Sequence, residues 1–557
     1  MKVLLFNPPA PDGRGFTREG RCTQEAGVWA SQWPPVTLAT AAAFLAGGGH
    51  EVHGIDFPAL GLTVRDLEAR IAAWRPDAAF WTTGTPTLAH DLYIATLVKA
   101  ASPETLTAVM GTHVSVMPGE VLENSDVDVV IRGEPEGIIR ELCRRGGWRL
   151  SDVAGISYKD AAGAVIHNPD AGWLPPEEIP APAWEHFDLA PYRLPLSGRP
   201  FLIVAPVRGC PYACSFCTAP VYYGRKLRKR PVANVIAEIK DNIRRFGVTE
   251  FFIWADTFTA DRKYVRSFCA GILEAGLRIT WTCNSRVDTI DGETLALMKK
   301  AGLWMISFGL ESGDDGILAA SGKRITTADS RRAVHLARAA GVRTAGHFIL
   351  GLPGETEATM AATLRLASEL PLNIAQFYAA APFPGTRLYE EATAKGWLKT
   401  GGGIRLAGAY GNTWGNAVNE AADSSSAHEG ESTAPPGPRK DVSTAEAEAD
   451  QDKADGEGNA IQKAPDASYA HDGEPMTPPG HPAGAGTSQG QFSPFSQNSA
   501  VLELPGLSAA TVDAFRRRAY RTFYRRPKII TGLLAMVEPG AAVHLSAAVR
   551  RFLKWSR

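Results

Sequence analysis

No apolar run in this chain approaches the roughly 20 consecutive residues that a membrane-spanning helix needs. The opening Met-Lys-Val-Leu-Leu-Phe-Asn-Pro-Pro lacks the longer apolar core of a secretory signal. Both features lead to the expectation of a cytoplasmic protein. Charge of one sign is also missing. The chain has 58 Lys and Arg against 59 Asp and Glu, a formal net charge of -1, so no global attraction to nucleic acid or to an acidic partner is expected. Cysteine is scarce: seven in 557 residues, unevenly placed and unsuited to a disulfide framework. Cys22, Cys143, Cys269 and Cys283 are scattered, whereas Cys210, Cys214 and Cys217 crowd together. Large apolar residues nearly vanish from 416–498, which is dominated by Ala, Ser, Glu, Asp, Gly and Pro. Such a stretch buries too little surface to offset ordering entropy, and it is expected to be a disordered low-complexity insertion.

What remains is long enough for two or three domains. Residues 1–145 alternate strand-like runs (Val3 to Phe6, Glu51 to Ile55, Ala78 to Thr82, Leu106 to Met110, Val127 to Ile131) with helical ones (Leu38 to Leu45, Val64 to Trp74, Ala89 to Ala101). The pattern predicts an α/β doubly wound parallel sheet. Ligands of such sheets sit at the carboxyl ends of the strands. Those ends carry Asn7-Pro8-Pro9, Thr83-Gly84-Thr85, Gly111-Thr112-His113 and Arg132-Gly133-Glu134, small residues that let backbone approach a large ligand. Residues 146–198, rich in Pro and Trp, read as a connector. In 199–398 six further strand–helix units follow, starting near Leu202, Glu250, Arg278, Trp304, Thr344 and Ile374, which predicts a partial (β/α)6 barrel. Residues 499–557 read as a helical C-terminal region with basic runs at Arg516-Arg517-Arg518 and Arg525-Arg526. That tail fits a cap packed on the barrel, or a surface in peripheral membrane contact.

Chemistry concentrates in Arg208-Gly209-Cys210-Pro211-Tyr212-Ala213-Cys214-Ser215-Phe216-Cys217, directly after a strand. Thiolates are the usual ligands of iron–sulfur clusters, and a C-x3-C-x2-C loop turns three of them toward one centre. Three ligands for four irons leave one iron open, as a catalytic metal requires. The alternatives are three unrelated cysteines or a zinc site short of one ligand.

With this motif, residues 200–395 resemble the radical SAM superfamily. The resemblance implies a [4Fe-4S] cluster on Cys210, Cys214 and Cys217. Its open iron chelates S-adenosyl-L-methionine, which one electron cleaves to a 5′-deoxyadenosyl radical. It also implies that Phe216 lies beside the adenine and that Asp256, in Trp254-Ala255-Asp256-Thr257, receives the methionine amino group, although the usual Gly-Gly-Glu is absent. Arg286 in Asn284-Ser285-Arg286 and Glu311 in Gly309-Leu310-Glu311-Ser312 stand where the family contacts methionine and ribose. Gly351, in Leu350-Gly351-Leu352-Pro353-Gly354-Glu355, matches the adenine-pocket motif. Each has a structural alternative: a helix cap for Asp256, ion pairs for Arg286 and Glu311, and a turn for Gly351.

The first domain resembles the cobalamin-binding domain of B12-dependent radical SAM enzymes through Leu5-Phe6-Asn7-Pro8-Pro9, Trp33-Pro34-Pro35, Gly49-His50-Glu51-Val52, Gly111-Thr112-His113 and Arg132-Gly133-Glu134-Pro135-Glu136. Pro8, Thr83, Gly111, His113, Gly133 and Glu134 are the candidate cobalamin contacts. The Asp-x-His-x-x-Gly of many cobalamin proteins is missing after the first strand, so the resemblance implies a cobalt without a protein imidazole below it. The expected activity is methylation of an unactivated carbon, or phosphorus, of a small molecule, with methylcobalamin as methyl donor. The electron donor would be a flavodoxin or ferredoxin. The same domain order and cysteine loop are similar to the anaerobic magnesium-protoporphyrin monomethyl ester cyclase, which leaves ring formation or oxidative rearrangement as the alternative. Methylthiolation of tRNA is disfavoured, because Cys22 and Cys143 are too few for a second cluster and no nucleic-acid module is apparent.

Overall fold

The computed structural model describes residues 1–10, 16–20, 22–25, 32–146, 149–398, 499–538 and 541, and they belong to one compact unit. The low-complexity segment 416–498 lies outside the described residues.

Five strands, β1 (Lys2–Asn7), β2 (Glu51–Asp56), β3 (Ala78–Thr82), β4 (Leu106–Met110) and β5 (Val129–Ile131), form a parallel sheet in the order β2-β1-β3-β4-β5. Val3, Leu4, Leu5 and Phe6 are all buried, as continuous apolar strands are when helices cover both faces. The order is flavodoxin-like. Winding reverses between β1 and β3, and the crevice for a ligand opens at their carboxyl ends. This confirms the expected first domain and extends it. The stretch read as a connector adds two antiparallel strands, β6 (Ile156–Lys159) and β7 (Val165–His167), to the edge of this sheet. Their turn is tied by Asp160 Oδ1, which accepts from the Ala162 and Ala164 amides at 2.9 Å. The rest of the connector is a buried seam. Trp184 is fully buried, the Phe187 ring lies 2.5 Å from where a Cβ on Gly54 would stand, and the Tyr192 hydroxyl donates to Asp56 at 2.8 Å.

The second sheet is parallel and sequential: β8 (Phe201–Val204), β9 (Glu250–Ile253), β10 (Thr280–Ser285), β11 (Leu303–Glu311), β12 (Arg343–Leu350) and β13 (Ile374–Ala379). Returning helices begin at side-chain caps on Asp261, Asp291, Thr326 and Thr356. The six-unit partial barrel expected from the sequence is therefore present.

An unclosed barrel leaves β13 as an edge whose backbone groups need partners. The helix Ala509–Tyr524 supplies them. The Tyr520 hydroxyl accepts from the Phe377 amide at 2.9 Å. The Tyr524 hydroxyl accepts from the Ala375 amide at 3.2 Å and donates to the Ala375 carbonyl at 2.9 Å. Both hydroxyls are buried, so Tyr524→Phe should cost about 1–3 kcal/mol by stranding edge groups. A urea midpoint unchanged from wild type would contradict that role.

Candidate active site

Beyond β8 the chain makes a short antiparallel pair, Val207–Arg208 with Arg228–Lys229, and then turns at Gly209. There φ is +88° and a Cβ would stand 2.2 Å from the Lys226 carbonyl oxygen, so the turn requires glycine. The cysteine loop that follows is fixed by its backbone. The Cys210 amide donates to the Gly224 carbonyl (3.1 Å), the Cys217 amide to Cys214 (3.3 Å) and the Ser215 amide to Ser321 (2.8 Å), while the Leu388 amide donates to Ser215 (2.9 Å). The structure brings Cys210, Cys214 and Cys217 to the wall of one cavity of about 570 Å³ inside the barrel. Cys210 Sγ is 3.4 Å from Thr257 Oγ1, and the Arg286 guanidinium donates to Cys214 Sγ at 3.9 Å. Burial raises the Cys214 thiol, opposed by the nearby Lys323 and Arg286 cations. Cys143, Cys269 and Cys283 are buried in the cores. Burial pushes the first two thiols up to about 12 and raises the third, as in inert structural cysteines.

Phe216, Asp256, Arg286 and Glu311 line the same cavity. Arg286 is held by Asp288 (2.9 and 2.8 Å), donates to the Lys323 carbonyl (2.7 Å) and lies 3.7 Å over the Tyr212 ring. Glu311 sits at an irregularity in β11, with φ at +61°, a conformation that non-glycine residues adopt only when the surroundings enforce it. Its carboxylate pairs with Lys323 at 2.6 Å. The pair fills the space over Gly309, where a Cβ would stand 2.5 Å from the Glu311 oxygen and 2.7 Å from the Lys323 nitrogen. The ion-pair readings of Arg286 and Glu311 thus hold together with their place on the cavity wall. Gly351 does not line it; its neighbour Ile349 does. A Cβ on Gly351 would meet Val512 of the C-terminal helix at 3.1 Å. The Gly351 and Leu352 amides donate to Glu355 at 2.5 and 3.1 Å, and burial pushes that carboxyl up to about 7.

In the first domain, Pro8, Thr83, Gly111 and His113 meet at the carboxyl edge. Arg18 and Asp91 form a fully buried ion pair there at 2.8 Å. Arg18 also donates to the Pro8 carbonyl (3.1 Å), and Asp91 accepts from Thr83 (2.9 Å) and Thr87 (2.5 Å). Gly111 has φ +146°, and a Cβ would stand 2.1 Å from the Thr83 carbonyl oxygen. His113 is buried with Nδ1 3.1 Å from Thr85 Oγ1. Its Nε2 has no hydrogen-bond partner among the described residues. Desolvation pushes its pKa down to about 4, so the ring is neutral. The Gly133 amide donates to Ser115 Oγ at 2.9 Å.

Glu134 is engaged elsewhere. It pairs with Arg208 and, at 2.9 Å, with Arg228, and it accepts from the Leu174 amide at 3.1 Å. Glu136 pairs with Arg208 at 2.6 Å. All four charged side chains are buried. The residue that opens the cysteine loop is therefore clamped by the edge of the first domain. Sequence reasoning assigned no role to Arg208, Arg228, Glu136 or Lys323, because nothing in their spacing reports pairs so far apart.

Comparison with known proteins agrees with this architecture. Residues 204–367 match the Radical SAM superfamily and residues 26–143 the B12 binding domain. An uncharacterized methyltransferase of Pyrococcus horikoshii, PH0819, is 33% identical over 405 residues, covering 72% of this chain and 85% of that protein. The chain belongs to the B12-binding radical SAM proteins. Other relatives in the family differ in activity. The cytidylyl-2-hydroxyethylphosphonate methyltransferase of Streptomyces wedmorensis is 28% identical, covering 72% of this chain and 83% of its own. The anaerobic magnesium-protoporphyrin IX monomethyl ester cyclase of Rubrivivax gelatinosus is also 28% identical, covering 65% and 67%. The solved structure of TsrM, a radical S-adenosylmethionine methyltransferase from Kitasatospora setae with cobalamin and a [4Fe-4S] cluster bound, shares the fold. Its TM-score is 0.59 at 19% identity, covering 71% of this chain and 78% of that one.

As a radical SAM enzyme the chain uses a [4Fe-4S] cluster and S-adenosyl-L-methionine, and its B12 domain implies cobalamin. The residues present fit these groups. Three thiols share one cavity, and the orphaned buried His113 Nε2 lies in the domain that would hold the corrinoid. Among the described residues no helix is long and apolar enough to cross a membrane. Alanine at Cys210, Cys214 or Cys217 should abolish the cluster's visible absorption after anaerobic reconstitution, and alanine at Cys269 should preserve it. Full iron and sulfide content in any of the three loop variants would break the ligand assignment.

Proposed function

We propose that this enzyme is a cobalamin-dependent radical SAM methyltransferase that adds a methyl group to an unactivated carbon, or to phosphorus, of a small molecule. The observation that carries the reading is the buried Arg208 clamp, which ties the cysteine loop to the carboxyl edge of the B12 domain. A reaction that draws on both cofactors at one substrate needs such a fixed relation. The relative sharing a third of its sequence is named a methyltransferase, and so is the phosphonate-handling relative.

When bound, the cluster supplies the electron that cleaves S-adenosyl-L-methionine to a 5′-deoxyadenosyl radical, and cobalamin carries the methyl group. The chain's own residues bind and orient. Cys210, Cys214 and Cys217 hold the cluster. Asp256 offers a carboxylate to the ammonium of S-adenosyl-L-methionine, and Arg286, beside Cys214, offers a cation near its carboxylate. Phe216, Trp33 and Phe252 wall the cavity with apolar surface and keep water from a reactive radical. Pro8, Thr83, Gly111, His113 and Gly133 form the corrinoid-facing edge, while Glu134 acts through Arg208. Reduction by a flavodoxin or ferredoxin completes the scheme.

The similarity to the magnesium-protoporphyrin cyclase favours a second reading, oxidative ring formation. Products separate the two. Anaerobic enzyme with iron, cobalamin, S-adenosyl-L-methionine and reductant should yield both 5′-deoxyadenosine and S-adenosylhomocysteine, with substrate gaining one CH2 per transfer. Deoxyadenosine with bound corrinoid and a product that has lost hydrogens without gaining CH2 would replace methylation with the cyclase-like reaction.

A further inference from the structure

We infer that the barrel contains an anion-recognition subsite centred on Arg343, at the end of the cavity opposite the cysteine loop, and that the substrate carries a carboxylate or phosphonate group there. The inference rests on the reading that this cavity receives the substrate.

The cavity spans the barrel. At one end lie Cys210, Cys214, Cys217 and Glu311; at the other lie Phe201, Glu250, Thr280, Arg343 and Ile374, the first residues of β8, β9, β10, β12 and β13. Along β12 the lining side chains are Arg343, Ala345, His347 and Ile349, one face of a strand, covering roughly 20 Å at about 3.3 Å per residue.

Cations on this wall are otherwise paired. Lys323 holds Glu311 at 2.6 Å and Arg286 holds Asp288 at 2.8 Å. Arg199 bridges Glu250 at 3.0 Å and Glu538 at 2.8 Å. Arg343 makes no ion pair among the described residues. Its guanidinium rests 4.9 Å over the Trp304 ring, beside an apolar collar of Met305, Ile374 and Met536. A planar fork held against an aromatic face, with low-dielectric walls, selects a planar or tetrahedral oxyanion that accepts two hydrogen bonds.

Between the two ends the lining side chains His347, Gln376 and Tyr378 bond to one another, and among the described residues this stretch carries no carboxylate, lysine or arginine. The Tyr378 hydroxyl donates to the Gln376 side-chain oxygen and lies 3.3 Å from His347 Nδ1. This middle accepts an uncharged span more readily than a second charge. The cavity thus fits a molecule with an anionic head at Arg343, an uncharged body, and its reacting position near the cluster. The collar places Met536 of the C-terminal region beside that head, while Arg199 holds the Glu250 and Glu538 carboxylates at the same end; the returning chain thus takes part in specificity as well as in covering β13.

Isothermal titration of the full-length reconstituted enzyme with n-hexylphosphonate, hexanoate, n-hexanol and n-hexylammonium tests the subsite. At least one of the two anions should bind at least tenfold more tightly than hexanol or hexylammonium, and the tighter anion identifies the head group. Arg343→Gln should weaken that anion at least tenfold, and Arg343→Lys should recover most of the loss. Circular dichroism checks that both variants are folded. Equal binding of the anion and hexanol, or an unchanged anion affinity in folded Arg343→Gln, overturns the proposal. Deoxyadenosine formation by the wild type is read in parallel. Its absence would sink the radical-enzyme reading, whereas the Arg343 contrast alone decides the subsite.

Discussion

The Arg208 guanidinium lies between two carboxylates of a different domain, out of reach of water. Glu134 and Glu136 stand at the start of the helix that follows β5, and Arg208 is two residues before the first cluster cysteine. With Arg228 the group is charge-balanced. Burial pushes the Glu136 carboxyl up and the Arg208 charge pulls it back. Replacing such a cluster by apolar residues need not weaken a fold, but removing one member strands a buried charge at a cost of about 3–5 kcal/mol. The geometry is thereby all-or-none: either the B12 edge and the cysteine loop sit in this register, or buried charges go unpaired. The position of the cysteine loop against the B12 domain depends on that constraint.

The same logic of enforced geometry recurs around the cavity. Gly209 is the only residue type that lets the loop turn beneath Lys226, and Gly309 leaves the room that the Glu311–Lys323 pair occupies. Glu311 keeps a left-handed backbone because its carboxylate is anchored. Arg286, Glu311 and Lys323 near the cysteines are held by ion pairs before any ligand arrives, which reduces the ordering that binding must supply. At the far end Arg343 lies against the Trp304 ring and makes no ion pair among the described residues, leaving its hydrogen-bond donors for a ligand.

What could be read from the sequence follows the range of the forces involved. β1, β3 and β4 announce themselves because strands buried on both faces are continuous apolar runs. The three cysteines do so because their spacing is local. β6 and β7 escaped notice because they are only four and three residues long, with Asp160 as the turn signal between them. Glu134 was legible as an edge residue but not as the partner of Arg208, since no sequence rule pairs positions so far apart. Gly351 stands at a strand end as expected, yet it packs against Val512, a residue on the other side of the low-complexity segment in sequence, instead of lining the cavity. Lys323 belongs with Glu311 only because β11 is irregular at Gly309.

Amide hydrogen exchange on Glu136→Gln against wild type tests the clamp most directly. The variant keeps a hydrogen-bonding side chain of the same length and removes one charge from Arg208. If the clamp sets the register of the cysteine loop, the Cys210 and Ser215 amides, both hydrogen-bonded in the native loop, should exchange at least tenfold faster, while those of β11 and β12 keep wild-type protection. Unchanged protection across 208–217 in the variant would show that the loop holds its place without the first domain, and would contradict the account.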